Sequence, residues 1–232
     1  MFFDQAEYNI RCEWGTKGIE HIGISSDVVI IVDVISFSTA VDIVTAQGAQ
    51  VFPYAKNEGI DEFAKRMDAI VVGPRSKEHT LVSLESLEAN RLVLPYPNEA
   101  VLSILTGQSV VLAGCLRNAQ AVAQAAMKLG TTIAVIPAGE HWADKSARFA
   151  TEDLIGAGAI LSFLEGSFSP EAQSAVAIYE DVKDNVCEHI KKCSSGKKLI
   201  EQGFADDVLC ACQVNVSSAV PQLIDVVYRN IA

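Results

Sequence analysis

Positive charge is scarce in this chain. Against 29 Asp and Glu stand 18 Lys and Arg, a net charge of −11 over 232 residues. That balance argues against nucleic acid or an anionic membrane surface as a partner. Long apolar runs are missing too. The best, residues 28–35, contains Asp33 and falls far short of the roughly 20 residues a membrane span needs. Acidic Asp4 and Glu7 stand where a signal peptide would be basic, so a cytoplasmic location is expected. Six scattered cysteines form no C-x2-C pair, which speaks against a zinc site and, in a reducing compartment, against disulfides. The phosphate-binding G-x-x-x-x-G-K-[ST], the dinucleotide G-x-G-x-x-G and the serine-hydrolase G-x-S-x-G are all absent. No stretch rich in Pro, Gly or Ser divides the chain, and residues 1–232 are expected to form one α/β domain.

What is present is a repeated unit. Four times an apolar strand runs into a polar turn and then a helix. Residues 28–34 lead into Ser36-Phe37-Ser38-Thr39, and residues 92–94 into Pro95-Tyr96-Pro97-Asn98-Glu99. Residues 110–113 lead into Gly114-Cys115-Leu116-Arg117-Asn118, and residues 132–136 into a long loop before a helix at Glu152-Asp153. Alternating strands and helices predict a three-layer α/β/α sandwich around a mainly parallel or mixed sheet. Right-handed crossovers would gather all four turns on one sheet edge, where ligands bind. Further helices are expected at 59–67, 98–106, 117–129, 151–165 and 171–191. The polar stretch 194–198 reads as a break, 75–90 as an irregular excursion or lid, and 214–232 as either strand or helix. Gly156-Ala157-Gly158, inside a helix, reads as a place of close packing.

Helix N-termini carry free N–H groups and a positive dipole end suited to phosphate. Asp33 closes an otherwise apolar strand, where a carboxylate is costly unless paired or bound to a metal. With Glu152 and Asp153 it supplies the carboxylates of a magnesium site that a substrate's oxygens complete. Ser36, Ser38 and Thr39 are three hydroxyls in four positions, more than capping uses, and are expected to face an anion. Asn98 suits a cap, and Glu99 is either a first-turn acid or a ligand. Arg117 opposes its helix dipole and therefore calls for an anionic partner: Glu99, Glu152 or a substrate phosphate. Asn118 stands beside it. Among the histidines, His141 is the candidate acid or base.

The ordered series Asp33-Val34-Ile35-Ser36-Phe37-Ser38-Thr39, Leu94-Pro95-Tyr96-Pro97-Asn98, Gly114-Cys115-Leu116-Arg117-Asn118, Pro137-Ala138-Gly139-Glu140, Glu152-Asp153-Leu154-Ile155-Gly156 and Gly203-Phe204-Ala205-Asp206-Asp207 resembles the 2-phosphosulfolactate phosphatase family. The resemblance spans residues 10–225. It implies an α/β/α fold and magnesium-dependent hydrolysis of a small phosphorylated acid, yielding sulfolactate in coenzyme M synthesis. It puts Asp33, Glu152 and Asp153 near the metal, and the Ser36, Asn98 and Asn118 turns near the substrate. The chain departs from the family pattern at Ser36, where an arginine is usual, and at Glu99, where the family's turn has glycine. Arg75 or Arg117 would have to supply the missing guanidinium. Two other classes remain open: a noncatalytic phosphometabolite-binding protein on the same scaffold, and a structural subunit. Apolar helices favour a homo-oligomer.

Overall fold

The computed structural model describes residues 2–56, 58–73 and 79–232. Its strands are β1 (Ile10–Cys12), β2 (Val28–Val32), β3 (Gln50–Pro53), β4 (Ile70–Val71), β5 (Arg91–Leu94), β6 (Val110–Gly114), β7 (Ile133–Pro137), β8 (Glu140–His141), β9 (Ala147–Arg148), β10 (Pro221–Ile224) and β11 (Val227–Asn230). Its helices are α1 (Gly15–Gly18), α2 (Phe37–Ala46), α3 (Ile60–Met67), α4 (Leu81–Leu84), α5 (Pro97–Ile104), α6 (Ala119–Leu129), α7 (Thr151–Leu161), α8 (Pro170–Val182), α9 (Val186–Lys192), α10 (Ser194–Glu201) and α11 (Ala205–Ala211). None, among the described residues, is long and apolar enough to cross a membrane.

Nine strands form one sheet in the order β1-β7-β2-β6-β10-β11-β3-β5-β4, while β8 and β9 make a separate ribbon. The first four pair in parallel, as do the last three. The β10–β11 hairpin lies between these blocks and pairs antiparallel with both β6 and β3. All five residues of β2 and of β7 are buried. Successive strand side chains point to opposite faces, so the sheet is covered on both. The fold is the expected three-layer α/β/α with a mixed, mostly parallel sheet.

Several expected elements change form. The helix expected over 171–191 is α8 and α9, separated by a 3-10 turn at Lys183–Asn185. The polar stretch at 194–198 is not a break but the start of α10. Ser195, Gly196 and Leu199 face inward while Lys197 and Lys198 stay in water. Glycine is required there, because a Cβ on Gly196 would stand 1.9 Å from the Ile190 carbonyl oxygen. The excursion after residue 78 contains α4, held by a capping box between Thr80 and Ser83. Arg75 lies outside the described residues.

The Gly156-Ala157-Gly158 stretch is a packing device, as expected. A Cβ on Gly156 would meet Val34 Cγ2 at 2.5 Å, and one on Gly158 would meet the Ala175 carbonyl oxygen at 2.1 Å. The first contact seats α7 against the end of β2; the second seats it against α8. We expect Gly158→Ala to push α7 and α8 apart at a cost of roughly 1–3 kcal/mol. That loss predicts a fall in melting temperature of about 2–4 °C per kcal/mol, readable by thermal denaturation.

Candidate active site

The chain leaves β2 at Val32 and turns sharply into α2. The Asp33 N–H donates to Ser38 Oγ at 3.0 Å, and Ser38 Oγ donates to the Ile31 carbonyl at 3.1 Å. Thr39 Oγ1 donates to the Val34 carbonyl at 2.7 Å. Ser38 and Thr39 are fully buried. Their hydroxyls therefore hold the turn that presents Asp33, and this corrects the expectation that they face an anion. Ser36 lines a small recess with Tyr96, His79 and Asp207, apart from the Asp33 side chain.

Asp33 opens into a cavity of about 200 Å³ whose walls carry five carboxylates: Asp33, Glu99, Glu140, Glu152 and Asp153. Asn98 stands at its edge, and among the described residues no Lys, Arg or His lines it. Four of the five acids are buried. Asp153 accepts the Val34 N–H at 2.8 Å on one oxygen and the Gly139 N–H at 3.0 Å on the other. It thereby ties the turn after β2 to the turn after β7. Burial, with the charges of Glu99 and Asp153 and a hydrogen bond from Glu99, holds the Asp33 carboxyl well above its ordinary value. Burial and neighbouring Glu152 raise Asp153 likewise, against the two N–H bonds that lower it.

This chemistry suits a hard divalent cation. Glu152 Oε2 is buried without a hydrogen-bond partner, a costly state that a cation would relieve. Among the described residues, however, no group of three or more Asp, Glu, His or Cys side chains stands ready to hold a metal. Asp33, Glu152 and Asp153 thus share a cavity without forming a preassembled three-ligand cage. Magnesium does not need one, since it commonly takes one or two carboxylates and completes its shell with water and phosphate oxygens.

The turn after β6 does not join this cavity. Arg117 finds an anion, but not one of those anticipated. Its Nε donates to buried Asp42 at 3.2 Å, and its other nitrogens reach the Cys210 carbonyl at 3.3 Å, Gln213, and Glu85 at 3.4 Å. Ser217 Oγ donates to the second Asp42 oxygen at 2.6 Å. Asn118 is fully buried. It accepts the Cys115 N–H at 2.9 Å and donates to the Ala219 carbonyl at 3.2 Å. Both side chains bind the 205–219 segment to the sheet, so the expectation that they hold substrate is corrected.

A second cavity, of about 490 Å³, meets the first at Asn98, Gly139 and Glu140. At the junction the Asn98 amide nitrogen lies 3.0 Å from His141 Nδ1, so these two predicted residues do come together. Lys17, Lys145 and Arg148 line this second space. Sequence reasoning gave Glu140, a member of the Pro137-Ala138-Gly139-Glu140 motif, and Lys145 and Arg148 no role in the site. Their signal was a charged loop between a buried strand and a buried helix, folded into the ribbon that pairs Glu140 with Arg148.

A family profile described as 2-phosphosulpholactate phosphatase matches residues 89–225. A 2-phosphosulfolactate phosphatase of Methanothermobacter thermautotrophicus is 28% identical over 88% of each chain. A probable 2-phosphosulfolactate phosphatase of Carboxydothermus hydrogenoformans is 25% identical over 84% of this chain and 85% of its own.

Two outcomes are expected. Arg117→Ala strands the buried Asp42 charge and should cost roughly 3–5 kcal/mol; adding Asp42→Asn should recover part of the lost melting temperature. The acidic cluster makes a pH prediction. A carboxyl whose folded-state pKa lies above its unfolded value stabilises the fold fully below that unfolded value, ordinarily 3.8, and its contribution is lost as pH rises through the folded-state pKa. Metal-free Asp33→Asn protein should therefore melt higher than the parent at neutral pH, with the gap closing toward acid pH.

Proposed function

The chain belongs to the 2-phosphosulpholactate phosphatase family, and on that footing we propose that it is a magnesium-dependent phosphatase of 2-phosphosulfolactate or a related phospho-acid. The observation that carries this is a cavity walled by five carboxylates that opens onto a second one holding Lys145 and Arg148 beside Glu13 and Glu140. Five carboxylates with no basic side chain among the described residues of their cavity would repel a phosphate, and a protein that merely bound phosphate would gain nothing from them. They make sense around a cation. Magnesium, held by Asp33 with Glu152 or Asp153, would neutralise the phosphate and polarise phosphorus toward attack.

The chain's own side chains do the rest. Asp153, with both oxygens already accepting N–H groups, orients the start of α7, and Glu152 offers the open oxygen. A water attacking phosphorus passes its proton to a carboxylate of the cluster. On the opposite side the Asn98 amide donates to His141 Nδ1. That hydrogen bond leaves the neutral imidazole with its N–H on Nε2, where it would donate a hydrogen bond to the leaving oxygen as negative charge develops there, solvent supplying the proton. Lys145 and Arg148 line the space into which the substrate's carboxylate or sulfonate extends, and an arginine pairs two such oxygens at once. They take the part of the guanidinium absent at Ser36. Hydrolysis of 2-phosphosulfolactate in the cytoplasm would yield sulfolactate for coenzyme M synthesis.

Phosphate release from 2-phosphosulfolactate and a panel of small monoesters, with and without magnesium, tests this. We expect metal-dependent release that Asp33→Asn abolishes; release without metal, or full activity of that variant, would overturn the assignment. His141→Ala should lower kcat about 10²–10³-fold on alkyl monoesters. It should have little effect on 4-nitrophenyl phosphate, whose leaving group needs no such help.

A further inference from the structure

The larger cavity holds more than a three-carbon acid can fill. At about 490 Å³ it falls in the range of roughly 300–1,000 Å³ typical of pockets for drug-sized ligands. Its cationic side chains share the space with an apolar wall made by Trp14, Val101, Leu102 and Phe149. Trp14 and Phe149 pack with ring centroids 4.8 Å apart, yet Phe149 remains 69% exposed and Val101 38% exposed. A bulky ring left in water at the mouth of a cavity is surface that a ligand would cover.

We propose that the substrate is a phospho-acid bearing an apolar ring or branched alkyl group, seated against Phe149, Trp14, Val101 and Leu102. The proposal rests on the phosphatase reading above, with phosphate in the acidic cavity. From there a way on through Asn98, Gly139 and Glu140, which line both spaces, leads to the cavity of His141 and this wall. The acid group meets Lys145 and Arg148 while the apolar group lies on the aromatic pair. A three-carbon substrate would satisfy the cations and leave the wall bare.

The test compares magnesium-supported phosphate release from 2-phospholactate and from 2-phospho-3-phenyllactate, the same acid with a phenyl ring added. We expect kcat/KM at least about tenfold higher for the phenyl compound, carried by KM. Phe149→Ala should remove that advantage. Equal or lower kcat/KM for the phenyl compound, or an advantage that survives Phe149→Ala, would overturn the proposal. Release from 2-phospholactate alone would leave the phosphatase reading standing. If neither monoester is hydrolysed while 2-phosphosulfolactate is, the proposal is overturned and the phosphatase reading stands; if none of the three is hydrolysed, the phosphatase reading fails, and binding of 3-phenyllactate followed by tryptophan fluorescence still decides what the cavity takes. Saturable quenching that is lost in Phe149→Ala supports the proposal; no quenching overturns it.

Discussion

One buried carboxylate holds the candidate active site together. Asp153 joins the turn after β2, through Val34, to the turn after β7, through Gly139, and it does so from the first turn of α7. Removing it would orphan two N–H groups, each costing about 1–3 kcal/mol where buried. Gly156, one position short of a full turn further on, lets α7 approach Val32 and Val34 closely enough for the clamp to reach. The positions of Asp33, Glu140 and Glu152 all follow from this clamp, since each stands within two residues of something it grips.

The clamp is under electrostatic tension. Its hydrogen bonds favour the charged carboxylate, while burial and Glu152 oppose it. At Asp33 every influence runs one way, since burial, the charges of Glu99 and Asp153 and the hydrogen bond from Glu99 all disfavour the charged form. Fold stability alone would be better served by an amide at Asp33, and sites kept at the expense of stability are a mark of function. The adjoining cavity mixes Lys17, Lys145 and Arg148 with Glu13 and Glu140.

Much of the fold was legible in the residues. The β-branched run of β2 and the alternation of strands with helices announced a buried, mostly parallel sheet, and Asp33, Glu99, Asn98, Glu152 and Asp153 do line one cavity. Two kinds of feature stayed hidden. The hydroxyls of Ser38 and Thr39 and the guanidinium of Arg117 carry the right chemistry for an anion, but each had an internal partner. For Arg117 that partner is Asp42, 75 residues away, a distance no local pattern spans. The other hidden feature is backbone geometry. The β10–β11 turn has Asp225 and Val226, both at positive φ, where a hairpin of this kind usually shows Asn-Gly. A β-branched residue there gives no turn signal at all. α10 was masked in the same way, by a serine pair and a glycine that local propensity disfavours and packing requires.

That hairpin has a consequence for the order in which the molecule can be assembled. The block β1-β7-β2-β6 and the block β3-β5-β4 share no strand pairing of their own; β10 and β11 are what unite them. Both strands come from residues 221–230, after every other strand in the chain. During vectorial synthesis β6 and β3 must therefore wait as open edges until this last hairpin emerges, and open edges are where chains pair with the wrong partner. A ten-residue segment that lines neither cavity thus governs whether two half-sheets become one protein.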